Sequence, residues 1–493
     1  MANSQLSKSA AVRKQLSHPV IDSDGHTVEF EPAVMERLTQ VGGPGIVERY
    51  KTKRLDGMVS GLGGMLNWHR LSPEERRQQR ITVPPWWALP AKNTLDRATS
   101  MLPRLLYERL DEMGIDVSVL YPTFGLLAPH LDDEEIRRAA CRAFNTYHAD
   151  IFREYNDRLI PVAVIPMHTP QEALEELDYA VTTLGMKAVM LAGHVLRPVP
   201  TVAQTAPEVS RYAYWVDNFC LDSPYDYDPV WAKCMELHVT PTFHSAGMGW
   251  GSRTSISTYM YNHIGHFAEA GEALCKALFF GGVTRRFPTL QFAFLEGGVS
   301  TGVRIYADLI ARWNKRNGEA MENYNPANLN VELLLDLCKQ YGGRVTEGKL
   351  NALADASGAT INTKAAPEQK NDFWRCDIKQ REDIRDLFVP HFYFGCEADD
   401  PMNATAFNTK ANPFGAKIRA VYSSDIGHWD VPDMTEVTEE AYELVEHGVI
   451  SEQDFRDFVF TNPTTMWTGT NPRFFTGTVV EKEVGKLLAA GAH

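Results

Sequence analysis

The sequence lacks the features that would place it in or across a membrane. It has no apolar run of the roughly 18 to 20 residues that a membrane-spanning helix requires. Its amino terminus carries basic residues but no apolar stretch of the kind that a secretory signal contains. The seven cysteines are scattered and never form a C-x-x-C pair, which argues against a zinc knuckle or a disulfide framework. These absences predict a cytoplasmic protein with free thiols.

Positive charge is also scarce. The chain has 49 basic against 63 acidic residues, which gives a formal net charge of −14. Such a surface argues against a nucleic-acid or anionic-membrane partner and leaves a small-molecule substrate as the expected partner. With 44% hydrophobic residues in 493, the chain can bury a large core. A homo-oligomer is the default expectation for its quaternary state.

Short apolar segments alternate with stretches of helical periodicity, which is typical of βα units and a parallel sheet. Eight such segments occur, at 19–24, 116–121, 159–167, 187–191, 240–244, 290–296, 391–396 and 420–425. Eight strands with intervening helices are the number that a closed barrel needs. The sequence therefore predicts an α/β fold, a (β/α)8 TIM barrel.

Three stretches are too long for ordinary loops and are interpreted as insertions over the carboxyl-terminal face of the barrel. They span about 31–103, 193–228 and 317–386. The insertions are compatible with three roles, as lids over an active site, as surface decoration or as oligomer contacts. The barrel itself is predicted over 19–475, between an amino-terminal tail at 1–18 and a carboxyl-terminal tail at 476–493.

The first predicted strand ends in a potential metal-binding pair. Alternate residues of a strand share a face, so Asp24 and His26 can both point inward at the strand's end. Glu29 follows just beyond. An isolated D-x-H is more often a turn with a hydrogen-bonded histidine than a metal site. The other strands therefore decide the interpretation.

Three further strands end in polar residues that have no role in packing. His244 ends the fifth strand, Glu296 the sixth and Asp425 the eighth. The carboxyl ends of barrel strands are where active sites are built. His263, nineteen residues after His244, can bend over the same mouth.

The motifs DSDGH, TPTFH, FLEGG and SSDIGH, in this order, resemble those of the amidohydrolase-related family of the amidohydrolase superfamily. The resemblance runs from Val20 to about Phe475. It implies a (β/α)8 barrel with one or two divalent metals at the strand ends. The usual set is two histidines on the first strand, one each after the fifth and sixth, and an aspartate after the eighth. Family members include aromatic-acid decarboxylases and hydrolases.

The chain departs from that pattern at three places. Asp24 and Glu296 replace histidines, and the fourth strand has no lysine at its end to be carboxylated, since Lys187 lies at its beginning. The two replacements are themselves metal-binding residue types. The predicted ligands are Asp24, His26, Glu29, His244, His263, Glu296 and Asp425. Seven ligands are too many for one tetrahedral zinc and suit two ions, with Glu296 or Glu29 bridging.

Carboxylate and imidazole ligands without thiolate favour iron or manganese at least as much as zinc. The pattern also resembles the D-x-H-x-x-E dinuclear nonheme-iron oxygenases of this superfamily. We therefore weigh a monooxygenase of a small organic substrate, served by a redox partner, slightly ahead of a zinc-type hydrolase or a decarboxylase. A non-catalytic barrel is disfavoured because all seven candidate ligands are in place.

Several residues outside the ligand set are candidates for contact with substrate. Asp425 is expected to transfer a proton, with His428 beside it as a second catalytic candidate or a loop cap. His194 follows the fourth strand. Trp87 and Tyr121 can line the pocket, although aromatic core packing is the commoner role.

Overall fold

The structure is a computed structural model that describes residues 6–56, 65–84, 91–353, 371–428 and 430–491. Ten strands lie in this part of the chain. They are β1 (Ile21–Thr27), β2 (Val117–Pro122), β3 (Leu159–Ile165), β4 (Ala188–Leu191), β5 (Val195–Pro198), β6 (Tyr214–Asp217), β7 (Pro241–Phe243), β8 (Phe292–Phe294), β9 (Phe392–Glu397) and β10 (Arg419–Ser423).

Eight of these strands form one parallel sheet in the order β1-β2-β3-β4-β7-β8-β9-β10. The two ends of the sheet meet just beyond β10. There the Asp425 amide donates to the Asp24 carbonyl at 3.0 Å, and the His26 amide donates to the Ile426 carbonyl at 2.9 Å. The sheet is thereby a barrel, and all eight strands predicted from the sequence are confirmed.

Helices surround the barrel. They are α1 (Lys8–Gln15), α2 (Glu31–Asp56), α3 (Pro73–Gln79), α4 (Thr94–Met101), α5 (Pro103–Met113), α6 (Glu134–Ile151), α7 (Pro170–Asp178), α8 (Pro200–Thr205), α9 (Asp228–Glu236), α10 (Tyr259–His263), α11 (His266–Phe280), α12 (Val283–Arg286), α13 (Val299–Arg316), α14 (Val331–Tyr341), α15 (Gly343–Thr346), α16 (Arg381–Phe388), α17 (Ala404–Phe407), α18 (Val437–Glu446), α19 (Glu452–Arg456), α20 (Asn462–Thr470) and α21 (Glu481–Ala489). Of the described helices, none is long and apolar enough to cross a bilayer.

Local chemistry explains where these helices begin. The side chain of Asp133 caps α6 by accepting the Ile136 amide, and two glutamates stand in its first turn, where the helix dipole favours negative charge. Thr169 caps α7 in the same way, with Pro170 at the first helical position. Each cap follows a barrel strand and turns the chain back along the outside of the sheet.

The core lies inside the barrel and between its strands and helices. Every residue of β2, β3 and β4 is buried, as expected for a parallel sheet covered on both faces. On the opposite side Phe292, Phe294, Phe392 and Phe394 stack across β8 and β9. All seven cysteines are free thiols.

The predicted insertions contain regular structure. The first holds α2 to α4, the second holds an antiparallel pair formed by β5 and β6, and the third holds α14 and α15. The regions predicted as terminal tails contain α1 and α21. The domain limits and the role of the insertions as lids stay predictions. Trp87 lies outside the described residues.

Candidate metal centre

Four barrel strands bring polar side chains to one edge of the barrel. Asp24 and His26 lie near the end of β1, and His244 follows β7 directly. Glu296 and Asp425 stand two residues beyond β8 and β10. Because the strands are parallel, all these side chains meet at the carboxyl-terminal mouth.

A β-bulge in β1 contributes to this arrangement. The pairing with β2 shifts register between Asp22 and Gly25, so that one extra residue stands on the β1 side. Bulges re-aim side chains and are common beside active sites. Asp22 fixes the bulge by accepting the Asp24 amide at 3.2 Å and the Ser424 amide at 3.0 Å.

The side chains at the mouth lie within coordinating distance of one another. His26 Nε2 is 3.5 Å from Asp24 Oδ1 and 3.3 Å from Asp425 Oδ1. His244 Nε2 is 3.8 Å from Asp24 Oδ1 and 3.0 Å from Glu296 Oε2. The donor atoms fall into two overlapping groups that share His26: Asp24, His26 and His244 in one, and His26, Glu296, Asp425 and His428 in the other.

Two of the carboxylates stand on unusual backbone. Glu296 has φ 55° and Asp425 has φ 49°, both in the left-handed region that glycine favours. Non-glycine residues in that region are strained and occur preferentially at functional sites. Each lies two residues after the end of a short strand, where the turn directs the side chain into the mouth.

Burial dominates the electrostatics of the centre. It raises the pKa values of the Asp24, Glu296 and Asp425 carboxyls well above their usual range, and neighbouring carboxylates add to each shift. Burial also lowers the pKa values of His26 and His244, which leaves neutral imidazoles with a free lone pair. A bound cation is the counter-charge that would let such carboxyls ionise.

The donor set fits a divalent metal. Within the described part of the chain, both oxygens of Asp24 and both ring nitrogens of His26 and His244 are buried without a hydrogen bond of ordinary geometry. Buried polar atoms of this kind are rare and need a partner. Mixed imidazole and carboxylate donors without thiolate are the ligand chemistry of zinc, manganese and iron.

His428 lies beside the centre, at its solvent side. Its Nδ1 is 2.7 Å from Asp425 Oδ1, and its ring stacks on that of His26 with centroids 3.6 Å apart. Its Nε2 is 3.3 Å from Thr123 Oγ1. Burial lowers the pKa of His428 to about 3, so the imidazole is neutral.

Glu29 belongs to neither group of converging donors in the described structure. Its Oε2 accepts the amides of Thr123 and Phe124 at 3.3 and 2.9 Å, and its Oε1 accepts the amide of Gly125 at 2.9 Å. The carboxylate therefore lies against the loop after β2, because three backbone donors hold it there.

His263 also stands apart from the converging donors. Its Nδ1 lies 3.1 Å from the Tyr259 hydroxyl and 3.0 Å from His266 Nε2. The residue closes the short helix α10, whose side chains pack among themselves and against Phe267. The structure thus brings together five of the seven predicted ligands.

Two acidic residues at the mouth were not singled out in the sequence. Glu397 and Asp430 form a further group with Glu296, with oxygens within 4.8 Å of one another. Glu397 is exposed, but desolvation of its carboxyl group at the mouth and the carboxylates of Asp430, Asp399 and Asp400 raise its pKa to about 7. A signal was available for Glu397, which is the last residue of the seventh barrel strand.

The two predicted substrate contacts that the structure describes, Tyr121 and His194, are both fully buried. Tyr121 is fully buried, its hydroxyl donates to Thr242 Oγ1 at 2.8 Å, and its ring lies about 6 Å from those of His26 and His244. His194 is also buried, with its ring 4.9 Å from that of His130 and 4.7 Å from that of Trp250.

Comparisons with known proteins support the family resemblance. The family model described as amidohydrolase matches residues 124–323. A 2-keto-4-carboxy-3-hexenedioate hydratase from Sphingobium sp. (strain NBRC 103272 / SYK-6) is 22% identical over 197 residues, which cover 38% of this chain and 49% of the hydratase. The match thus spans about half the length of that relative. The family-model match thus bears out the resemblance to the amidohydrolase family over residues 124–323.

Solved structures of similar topology cover most of the chain at low identity. A 2,6-dihydroxybenzoate decarboxylase from Rhizobium is 14% identical with a TM-score of 0.49, over 92% of this chain and 99% of that one. A dihydroxybenzoic acid decarboxylase from Polaromonas sp. JS666, solved with bound manganese, is 14% identical with a TM-score of 0.48, over 92% and 97%. An amidohydrolase from Mycobacterium avium subsp. paratuberculosis K-10 is 18% identical with a TM-score of 0.49, over 92% and 100%.

Proposed function

We propose that the protein is a metal-dependent decarboxylase of a small organic acid that works without oxidation. The observation that carries the proposal is the convergence of Asp24, His26, His244 and Asp425 at the barrel mouth, with His428 in contact with Asp425. These residues would hold a divalent ion, which would supply Lewis acidity to a substrate oxygen and stabilise negative charge that develops on the substrate.

Exclusion of water favours decarboxylation over reactions that consume water. The side chains of His26, Asp24 and Glu296 are 0%, 1% and 5% exposed. In such an environment a substrate carboxylate loses the solvation that it has in water, whereas neutral CO2 loses little. The bond from the substrate carbon to the carboxylate breaks, CO2 leaves, and the electron pair stays on the carbon until a proton arrives.

We assign delivery of that proton to Asp425 and His428. Asp425 protonates the carbon, the neutral His428 ring then gives its Nδ1 proton to Asp425, and the ring takes up a proton from solvent at Nε2, on the Thr123 side. The stacking of His428 on His26 holds the ring in the plane that this transfer needs.

The substrate side of the site is proposed to include His194. His130 and His194 neighbour each other, and burial lowers the pKa of His130 to about 4 and that of His194 well below its usual value. Both rings are therefore neutral and able to hydrogen bond. Tyr121 forms the floor beneath the metal-binding imidazoles.

The number and identity of the ions belong to the proposal as well. Glu296 takes part both in the group with His26 and in the group with Glu397 and Asp430, so it would bridge two ions if each group held one. The group of Glu296, Glu397 and Asp430 consists of oxygen donors alone, which favours manganese over zinc. We propose two divalent ions per chain at full loading.

Addition of water to a small unsaturated or carbonyl-containing acid is the second candidate, because the hydratase is the relative that matches in sequence. The oxygenase hypothesis receives no support from the matched proteins, whose names describe a hydratase, decarboxylases and an amidohydrolase. A redox partner is not required by the reaction that we propose.

The test combines metal loading with strict anaerobiosis. Protein loaded separately with Mn²⁺, Fe²⁺ or Zn²⁺ is supplied with a panel of hydroxybenzoic and unsaturated dicarboxylic acids, and CO2 release is measured. We expect release without O2 or an electron donor. His428→Phe, which keeps a ring on His26, should lower kcat by about 10²- to 10⁴-fold with metal content unchanged. Turnover that requires O2 would restore the oxygenase hypothesis, and product formation without CO2 would favour the hydratase.

A further inference from the structure

One carboxylate of the predicted ligand set, that of Glu29, accepts hydrogen bonds from backbone amides on both of its oxygens. Glu29 is 2% exposed and accepts three consecutive amides, those of Thr123, Phe124 and Gly125. A buried carboxylate is costly unless such charge-assisted bonds satisfy it. If Glu29 turned toward the mouth, these three amides would lose a charged acceptor, which disfavours that orientation of the side chain.

The segment held by Glu29 reaches the proposed proton route. Thr123 is the first residue after β2, and its amide also donates to the Thr27 carbonyl at 3.1 Å. Its side-chain oxygen lies 3.3 Å from His428 Nε2. Glu29 is thus connected to His428 through one short segment, 123–125, and not through a metal ion.

We propose that Glu29 is a positioning residue that fixes segment 123–125, so that the Thr123 hydroxyl orients His428, and that Glu29 is not a metal ligand. The role of His428 in this inference rests on the proposed function. His148 completes the environment, with Nε2 3.6 Å from Glu29 Oε1 on the side of α6. A hydrogen bond between the Thr123 hydroxyl and Nε2 favours the ring orientation in which Nδ1 faces Asp425. It also favours the tautomer in which Nδ1 carries the proton.

The first test does not require turnover. In Glu29→Gln the side chain keeps its size and one acceptor oxygen but places a donor against one of the three amides. We expect faster hydrogen exchange in the peptide containing 123–125 of the metal-free protein, with metal content and the visible spectrum of the Co²⁺-loaded form unchanged. Glu176→Gln is the control, because that buried carboxylate bonds Arg142 and Asn145 away from the mouth. A fall in bound metal or an altered Co²⁺ spectrum in Glu29→Gln would overturn the proposal.

The second test asks whether Glu29 acts through Thr123. We expect Glu29→Gln and Thr123→Val each to lower kcat by about ten- to hundredfold with little change in KM. The double variant should be no worse than Thr123→Val alone, because both changes break one connection. Thr123→Ser, which restores the hydroxyl, should keep near wild-type kcat. Additive losses, or full activity in Thr123→Val, would contradict the mechanism.

The two tests separate this inference from the proposed function. If the wild-type protein binds no metal or releases no CO2, the proposed function fails, while the exchange experiment still decides what Glu29 holds. If the wild type is active and metal-loaded but Glu29→Gln loses metal, the positioning role alone fails.

Discussion

At the scale of single residues, the two carboxylates that follow β8 and β10 combine function with backbone strain. Glu296 and Asp425 occupy left-handed backbone, where a side chain costs of order 1 kcal/mol or more relative to glycine. Both are buried among other carboxylates, which adds an electrostatic cost when no cation is bound. The centre is therefore a locally destabilised part of a well-packed barrel.

A comparison of two substitutions at Glu296 measures the backbone part of that cost. Both Glu296→Gly and Glu296→Ala remove the carboxylate, but only glycine adopts φ 55° without steric strain. In metal-free protein we expect the free energy of unfolding of the glycine variant to exceed that of the alanine variant by about 1 kcal/mol. Denaturant titration provides the measurement.

Glu397, which lies in a strand, provides the control for this comparison. There the order should reverse, because glycine weakens regular strand structure. Equal stability of the two Glu296 variants would show that the backbone at this position is not strained.

The sequence allowed the residue types and their order along the chain to be predicted, but not every orientation. Asp24, His26, His244, Glu296 and Asp425 were placed at strand ends, and strand ends of a parallel barrel must meet. Its spacing and the D-x-H-x-x-E resemblance predict Glu29 in the same site. Its actual partners are backbone amides of a loop nearly a hundred residues away. Every residue type except proline supplies such an amide, so the sequence does not reveal which ones a carboxylate binds.

At the scale of secondary structure, the eight barrel strands were predicted because continuous apolar runs mark strands buried on both faces. The antiparallel pair of β5 and β6 was not predicted, and the stretch was interpreted only as an insertion. β5 is half-buried and β6 is partly exposed, so neither shows a clear apolar pattern. The pair is held by an ion pair between Arg197 and Asp217, which periodicity does not reveal.

Lys187, at the start of β4, allows a prediction about pH and stability. Its ammonium donates to the Phe474 carbonyl at 2.6 Å, and burial lowers its pKa to about 8. Between pH 8 and about 10.4 the unfolded chain retains a proton that the folded chain has released, so stability contributed at this site rises with pH. Below pH 8 both states carry the proton and the cost of burial stays constant.

The measurement is the melting temperature of wild type and Lys187→Met at pH 7.5 and 9.5. We expect the difference between the two proteins to shift in favour of the wild type at the higher pH. Lys233→Met is a suitable comparison, since that lysine pairs with Glu236 on the outside of the barrel. A difference that is independent of pH for Lys187→Met would show that this ammonium is not destabilised by burial.

At the scale of the whole molecule, the proposed metal ligands come from opposite ends of the sequence. Asp24 and His26 belong to the first barrel strand, and Asp425 follows the last one. The barrel closes at the same place, through backbone hydrogen bonds and through Asp22, which accepts the Ser424 amide and hydroxyl. A metal bound there would tie the two ends of the sheet together in addition to its role in catalysis.

Removal of the metal should therefore weaken the barrel most at its seam, the place where β1 meets the residues that follow β10. An ion that binds only the native state at a hundred times its Kd contributes about 2.7 kcal/mol to stability, so chelation should lower the melting temperature. Hydrogen exchange should increase most in peptides covering β1 and the end of β10, while β3, which contributes no ligand, changes little.

Asp24→Asn should show the faster hydrogen exchange at the seam even when metal is supplied. Equal acceleration in β3 and at the seam would mean that the ion stabilises the barrel globally, and no acceleration would place the bound metal away from the residues that close the barrel.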